Sequence, residues 1–353
     1  METPLLAITA GDPSGVGPET IIRAWHSSEV HTQCRPLVIG NSEVLQRAID
    51  LLRAEITIVP IDDPKQACGD QTTLPCLETG ADAAQAKPAC CDPKGGQAAY
   101  DAVVLAADLA QQQRVDGIVT APLNKAALQA AGHPYPGHTE LLADCCGVKE
   151  IAMMLYLEKS QGSGEDDGWG VVHATLHMPM RDIFEHLCTS RIVTCTKLAD
   201  AAMRNLKSTR TDQSPRIGIC ALNPHAGEEG LFGTEERRIL APAVAEAMKN
   251  GLDVSGPYPA DTLIARTHRG EFDVLIAMYH DQGHITLKLL GMHRAVNITL
   301  GLPIVRTSAS HGTAFDQAWR GTADAGGMIA AIRLAAKLAR RHIPLSAVGS
   351  RDG

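Results

Sequence analysis

Val274-Leu275-Ile276-Ala277-Met278-Tyr279-His280-Asp281-Gln282-Gly283 is an apolar run that stops abruptly in a histidine, a carboxylate, an amide and a glycine. A strand buried on both faces reads as a continuous apolar stretch, and open parallel sheets present function at the carboxyl ends of their strands. The run therefore predicts a strand with chemistry on its tip. Two further stretches share the pattern: Val171-Val172-His173-Ala174-Thr175-Leu176-His177 and Arg216-Ile217-Gly218-Ile219-Cys220-Ala221-Leu222-Asn223-Pro224-His225. One histidine at a strand end is ordinarily a hydrogen-bonded structural residue. Three such ends on one rim would make a metal site, because three imidazoles with positions left open for substrate suit zinc, cobalt or nickel. His177, His225 and His280 are the candidate ligands, with Asp281 and Glu228 as further ligands or as acceptors that orient the rings.

Outward from these stretches, strand and helix alternate as in a doubly wound parallel sheet. Leu5–Thr9, Leu37–Gly40, Glu55–Val59, Asp116–Pro122, Ile151–Leu157 and Ala295–Leu300 read as strands. Ser42–Leu52 (with Ser42 as its cap), Gly96–Gln113, Thr234–Asn250 and Asp324–Arg341 read as helices. Pro60–Pro93 reads as an irregular surface excursion, and the acidic stretch Glu158–Gly168 as a linker between hairpin-like strands. Only 3% of the 353 residues are aromatic against 44% hydrophobic, so the interior rests on small and branched aliphatic side chains, as in helices packed over a parallel sheet. The length favours two domains or one large α/β unit with a deep cleft.

A net charge of -8 argues against a polyanion-binding surface, hence against nucleic acid as a partner. No apolar run is long enough to span a membrane, and the N-terminus carries no secretion pattern, which leads to the expectation of a cytoplasmic protein without a membrane partner. The ten cysteines lack the Cys-x-x-Cys spacing and are expected to be small reduced hydrophobes.

Other features bear on ligands. Gly11-Asp12-Pro13-Ser14-Gly15-Val16-Gly17-Pro18-Glu19 joins a strand to a helix, but it follows neither the Gly-x-Gly-x-x-Gly nor the Walker pattern. His138 and Thr139 sit at a predicted helix start, where exposed amides and the dipole favour an anion. Lys288 and Arg306, with Asn297 between them in the chain, read as bordering apolar strands and suit a phosphate or carboxylate. Asp261 is a solitary carboxylate in the loop Tyr258–Thr262, and Ser310–Asp316 is a polar, glycine-containing loop.

In chain order, Gly11–Glu19, Gly137-His138-Thr139-Glu140, Thr175-x-His177-x-Pro179-x-Arg181, Leu222–Glu228, Pro259-Ala260-Asp261-Thr262, Tyr279–Gly283, Asn297–Gly301 and Ser310–Ala314 together resemble the 4-hydroxythreonine-4-phosphate dehydrogenase family of pyridoxal phosphate biosynthesis, across nearly the whole chain. The resemblance implies two α/β/α domains of the isocitrate/isopropylmalate dehydrogenase kind, here 1–130 plus 303–353 on the cofactor side and 131–302 on the metal and substrate side. It implies a homodimer whose active site lies in the interdomain cleft at the subunit interface, so the site residues need not all serve the same active site. It places zinc, magnesium or cobalt on His177, His225 and His280, and the phosphorylated substrate on His138, Thr139, Lys288, Asn297 and Arg306. NAD or NADP falls to His311, Gly312, Thr313, Ala314 and Asp316, in a fold that needs no Rossmann glycine fingerprint. Asp261 is the candidate for proton handling. The implied reaction is oxidation of a carbinol followed by loss of carbon dioxide. Relatives acting on 4-phospho-threonate or erythronate, or on cyclic dihydrodiol carboxylates, are the alternatives, and a non-redox metal enzyme or ligand-binding protein on the same scaffold is a third.

Overall fold

The computed structural model describes residues 3–158, 168–207, 214–291 and 294–341 of an α/β protein that divides into two compact units. One unit takes the described residues of Met1–Lys149 and Leu302–Pro344, the other those of Glu150–Gly301. The first crossing falls after Lys149 rather than after residue 130, because the helix His138–Cys145 packs on the helix Pro93–Gln111.

The first unit holds β1 (Leu5–Thr9), β2 (Arg35–Gly40), β3 (Thr57–Ile61), β4 (Thr73–Glu78), β5 (Gly117–Thr120) and β12 (Arg306–Ala309). They lie in the order β3-β4-β2-β1-β5-β12, every pair parallel. β1 is wholly buried, in keeping with the apolar run Leu5–Ile8 that makes up all but its last residue. Its neighbours β2 and β5 run off to opposite sides, so the loops after β1 and β5 stand at the point where the winding reverses, the place where open α/β sheets bind ligands. Two expectations are corrected. The stretch Pro60–Pro93 is not wholly irregular: Leu74, Pro75 and Cys76 are buried in β4, inserted between β3 and β2, where Pro75 disguises the strand. The helix Ser42–Leu52 is capped by Asn41, whose Oδ1 accepts from Val44 N–H at 3.1 Å, and not by Ser42.

The second unit holds β6 (Ala152–Leu157), β7 (Trp169–His173), β8 (Ile217–Cys220), β9 (Val254–Tyr258), β10 (Val274–Ala277) and β11 (Ala295–Leu300), in the order β11-β6-β7-β10-β8-β9. β6 pairs antiparallel with both β11 and β7; β7, β10, β8 and β9 are parallel. Most of the predicted linker, 159–167, lies outside the described residues, as does the tail from 342. Leu155, Val171, Leu263, Leu275 and Leu287 close the core over the sheet. At the base of β10, Asp273 takes Lys207 Nζ at 2.6 Å and the Arg216 guanidinium at 3.0 Å, both within a largely buried cluster. All ten cysteines are free, but only Cys34, Cys76, Cys195 and Cys220 are buried as small hydrophobes. Among the described residues no helix is long and apolar enough to cross a membrane.

Candidate functional site

The three histidine-tipped strands are neighbours. β10 pairs with β7 on one side and with β8 on the other, all pointing the same way, so the chain leaves each at the same edge of the sheet. His177 follows four residues after His173, the last residue of β7; His280 opens the helix His280–Gly291 just beyond β10; His225 stands in a turn beyond β8. The rings of His177 and His280 have centroids 5.7 Å apart. Among the described residues, however, no three His, Cys, Asp or Glu side chains gather closely enough to hold a metal ion within one chain. The rim supplies the donors without closing the set.

The chemistry of these donors suits a divalent ion. His280 Nδ1 lies 2.7 Å from Asp281 Oδ1, and His225 Nδ1 lies 3.2 Å from Glu228 Oε2. A carboxylate on Nδ1 fixes the tautomer and leaves Nε2 as the donor, the arrangement expected around ligating imidazoles. Asp281 and Glu228 thus stand behind the rings as orienting groups. A second layer is not evident in the linear sequence: the His284 ring stacks on His280 at 3.7 Å, and His284 Nδ1 lies 3.1 Å from His173 Nε2 in the interior. Burial and the facing His284 push His173 down to about 3, and burial with His280 nearby pushes His284 to about 4, so both rings are neutral at physiological pH. The signals that could have found them are the i, i+4 spacing from His280 and the histidine inside the Val171–His177 run.

His225 occupies an unusual backbone. Residues His225, Ala226, Gly227, Glu228 and Glu229 have φ of 52°, 55°, 80°, 43° and 56°, a left-handed turn in which only Gly227 is free of steric penalty. Each of the others costs about 1–2 kcal/mol, and such strain persists where the surroundings over-determine it. The buried Glu236 supplies part of that constraint: its Oε1 accepts from Leu222 N–H at 3.0 Å and Asn223 N–H at 2.7 Å, and its Oε2 accepts from the Asn223 amide. Glu236 holds both residues that lead into the strained turn.

Around the expected anion subsite the structure alters several placements. Lys288 borders no strand; it lies half-buried in the helix His280–Gly291. Arg306 is inside β12, buried, and donates from Nη2 to Thr120 Oγ1 at 2.7 Å; burial lowers it to about 10, leaving it charged at neutral pH. Asn297 lies in β11 with a buried Oδ1 that has no hydrogen-bond partner among the described residues, and His138 Nε2 is buried in the same condition. Buried polar atoms of this kind mark places where a ligand group fits. His138 and Thr139 lie in the first turn of the helix His138–Cys145. Burial and the Arg306 charge hold His138 neutral, a donor or acceptor rather than a cation. Asp261 is not in a loop: it is exposed in the first turn of the helix Ala260–His268 and accepts from Thr262 N–H.

In the first unit, His311, Gly312 and Asp316 are exposed, Thr313 is buried and Ala314 adopts φ 42°. A Cβ placed on Gly327, in the first turn of the helix Gly326–Ala339, would lie 3.6 Å from the His311 ring. The loop therefore rests against the first turn of the helix Gly326–Ala339.

A sequence profile for the pyridoxal phosphate biosynthetic protein PdxA matches residues 32–335. The D-threonate 4-phosphate dehydrogenase of Salmonella typhimurium is 43% identical, covering 96% of this chain and 100% of its own. The 4-hydroxythreonine-4-phosphate dehydrogenase of Desulforapulum autotrophicum is 41% identical over 94% of this chain and 95% of its own. A crystal structure of 4-hydroxythreonine-4-phosphate dehydrogenase from Klebsiella pneumoniae superposes with a TM-score of 0.84 at 41% identity, covering 95% of this chain and 99% of that one. The extent and level of these matches place the chain in the PdxA family of pyridoxal phosphate biosynthetic proteins.

Proposed function

We propose that the chain catalyses the NAD(P)-dependent oxidative decarboxylation of 4-phosphohydroxy-L-threonine to 3-amino-2-oxopropyl phosphate, with a divalent metal on His177, His225 and His280. The observation that carries this is the adjacency of β7, β10 and β8, with two of the three imidazoles backed by carboxylates. Family membership supplies the reaction class. A metal held there would supply Lewis-acid polarisation of the substrate's oxygen, and a bound nicotinamide would be the hydride acceptor. The chain's own residues do the rest. His138, Thr139, Lys288, Asn297 and Arg306 bind the substrate and its phosphate, with neutral His138 and the amide of Asn297 as hydrogen-bonding groups and Lys288 and Arg306 as cations. Asp261 accepts the hydroxyl proton as the carbon–oxygen double bond forms, and carbon dioxide then leaves with the enolate carbon taking a proton. His311, Gly312, Thr313, Ala314 and Asp316 hold the dinucleotide.

The functional unit in this proposal is a homodimer in which each metal set draws on both chains. Large apolar side chains stand exposed beside the candidate ligands: Met180 near His177, Leu231 and Phe232 near His225, and Ile285 and Leu289 on the helix that His280 opens, with Leu289 82% exposed. Such a concentration on one unit fits a covered face.

A second reading has its own support in the 43% identity to the Salmonella D-threonate 4-phosphate dehydrogenase. That substrate presents a hydroxyl where the threonine derivative presents an amine, and the phosphate contacts serve both. Steady-state NADH formation by the purified, metal-loaded protein with each substrate decides between them. A clear preference in kcat/KM for 4-phosphohydroxy-L-threonine is expected; a ratio near one, or a preference for the threonate, overturns the biosynthetic assignment.

A further inference from the structure

The motif Gly11–Glu19 has no part in the chemistry above, yet its side chains are among the most deeply buried polar groups of the first unit. Glu19 is fully buried within the helix Gly17–Trp25. Its two carboxylate oxygens reach some three hundred residues along the chain: Oε1 accepts from Trp319 N–H, and Oε2 accepts from Gly321 N–H at 2.7 Å. A buried carboxylate shared between two main-chain amides is a charge-assisted anchor. Trp319 is fixed from three further sides. Its indole N–H donates to Pro13 O at 2.9 Å, the Arg47 guanidinium lies 4.7 Å over its ring, and Val16, Ala314, Ala318 and Ala323 pack in the same cluster. Arg23 donates to Gly321 O from the same helix as Glu19.

The near end of the segment is held as firmly. Val16 N–H donates to Thr313 O at 3.0 Å, and a Cβ on Gly15 would come within 2.9 Å of Thr313 Cβ, so only glycine permits this approach. The loop His311–Asp316 is thus tied at Thr313 and again just beyond its end at Trp319 and Gly321. Between the ties, Ala314 and Trp319 adopt left-handed φ of 42° and 61°, a conformation that side-chain-bearing residues keep only under constraint.

We propose that Glu19 is a positioning residue for the dinucleotide: with Trp319 it clamps the loop His311–Asp316 onto the Gly11–Glu19 turn and presets the cofactor-binding conformation. This rests on the assignment of His311–Asp316 as the cofactor loop. Glu19 touches neither cofactor nor substrate; it acts through the loop. Without the clamp the loop must be ordered at the expense of NAD binding, so the effect falls on cofactor affinity and not on the chemical step.

The test is equilibrium titration of NAD against the full-length protein, alongside initial rates and thermal unfolding, in wild type, Glu19→Gln and Trp319→Phe. Glu19→Gln keeps the shape but replaces one acceptor oxygen by an amide facing a backbone N–H. The NAD dissociation constant is expected to rise about tenfold or more, with metal affinity and the KM for phosphorylated substrate unchanged. Trp319→Phe, which keeps the ring and loses the bond to Pro13, is expected to weaken NAD by about threefold and carries the test if the first variant does not fold. An unchanged NAD constant in a folded variant, with only the melting temperature lowered, overturns the clamp. Absence of saturable NAD binding in the wild type overturns the cofactor-loop assignment as well, so the two failures are distinguishable.

Discussion

The edges of the two sheets are finished differently. In the first unit, the segments that follow β1 and β12 are bound to one another inside one chain: Glu19 to Trp319 and Gly321, and Val16 to Thr313. In the second, the rim of β7, β10 and β8 carries exposed His177 and His225 and half-buried His280 beside exposed apolar side chains, and no set of ligands closes among the described residues. The contrast teaches where preorganisation resides. A dinucleotide brings many weak contacts and gains from a loop that is already shaped, whereas a metal ion brings a few strong bonds and can itself complete a set offered by two chains.

The largest effect follows from that second half. His225→Ala is expected to remove metal retention and lower turnover together by at least about 10²–10³-fold, the scale of losing a preorganised charge-stabilising group. Full metal content in that variant would sink the ligand assignment. Mixing His225→Ala with His280→Ala subunits sharpens the comparison. If each site takes the two histidines from different chains, a mixed dimer keeps one intact site, and random reassortment restores about a quarter of wild-type activity. If both come from the same chain, nothing is restored, and the proposed sharing fails.

A smaller effect separates rim from interior. At the other end of β10 from the rim, Asp273 is paired with Lys207 and Arg216. Burial pushes the Asp273 carboxyl up, but hydrogen bonds from Arg216 and Lys207 outweigh it and hold the group below its ordinary range. A carboxyl depressed by folding adds stability above its unfolded pKa and loses it as pH falls through the folded value. Asp273→Asn takes away the carboxylate that faces the Lys207 ammonium, whose side chain is only 5% exposed, and should destabilise by about 3–5 kcal/mol. Trp169, buried in the second unit, reports that unfolding in urea, while the other two tryptophans, Trp25 and Trp319, lie in the first unit. A midpoint unchanged at Trp169 would show that the interior is not organised as described.

What could be read from residues alone follows the range of the interactions involved. The runs ending at His177, His225 and His280 announced neighbouring strands because a buried parallel strand imposes its apolarity on every position. β4 and β9 went unannounced: Pro75 interrupts one, and Gly256 and Pro257 the other, where proline and glycine ordinarily mark turns. Lys288 was misjudged because Ile285, Leu287 and Leu289 alternate as in a strand, yet the segment continues a helix from His280. The pairing of His173 with His284, of Glu236 with Asn223 and of Glu19 with Trp319 depends on the folded course of the chain, which no local spacing encodes.

A buried carboxyl of the first unit, only partly satisfied by hydrogen bonds, yields the smallest predicted effect. Asp12 is fully buried, and its Oδ2, with Ser14 Oγ and Thr9 Oγ1, has no hydrogen-bond partner among the described residues. Burial raises the Asp12 carboxyl to about 6, with the Ser14 amide on Oδ1 opposing it. A carboxyl whose folded pKa lies above its unfolded value contributes stability while protonated, and that contribution is lost as pH rises through the folded pKa. From the unfolded value of 3.8 to about 6, the loss amounts to at most about 3 kcal/mol and is complete just above pH 6. Asp12→Asn keeps the bond to Ser14 N–H and removes the charge. It should therefore stabilise the first unit at pH 8, with the gain shrinking as pH is lowered to 5, when unfolding is followed by differential scanning calorimetry. A variant that is less stable than wild type at pH 8, or a difference that does not vary with pH, would mean that the ionised carboxylate is accommodated after all, and that the first unit's edge is as complete at Asp12 as it is at Glu19.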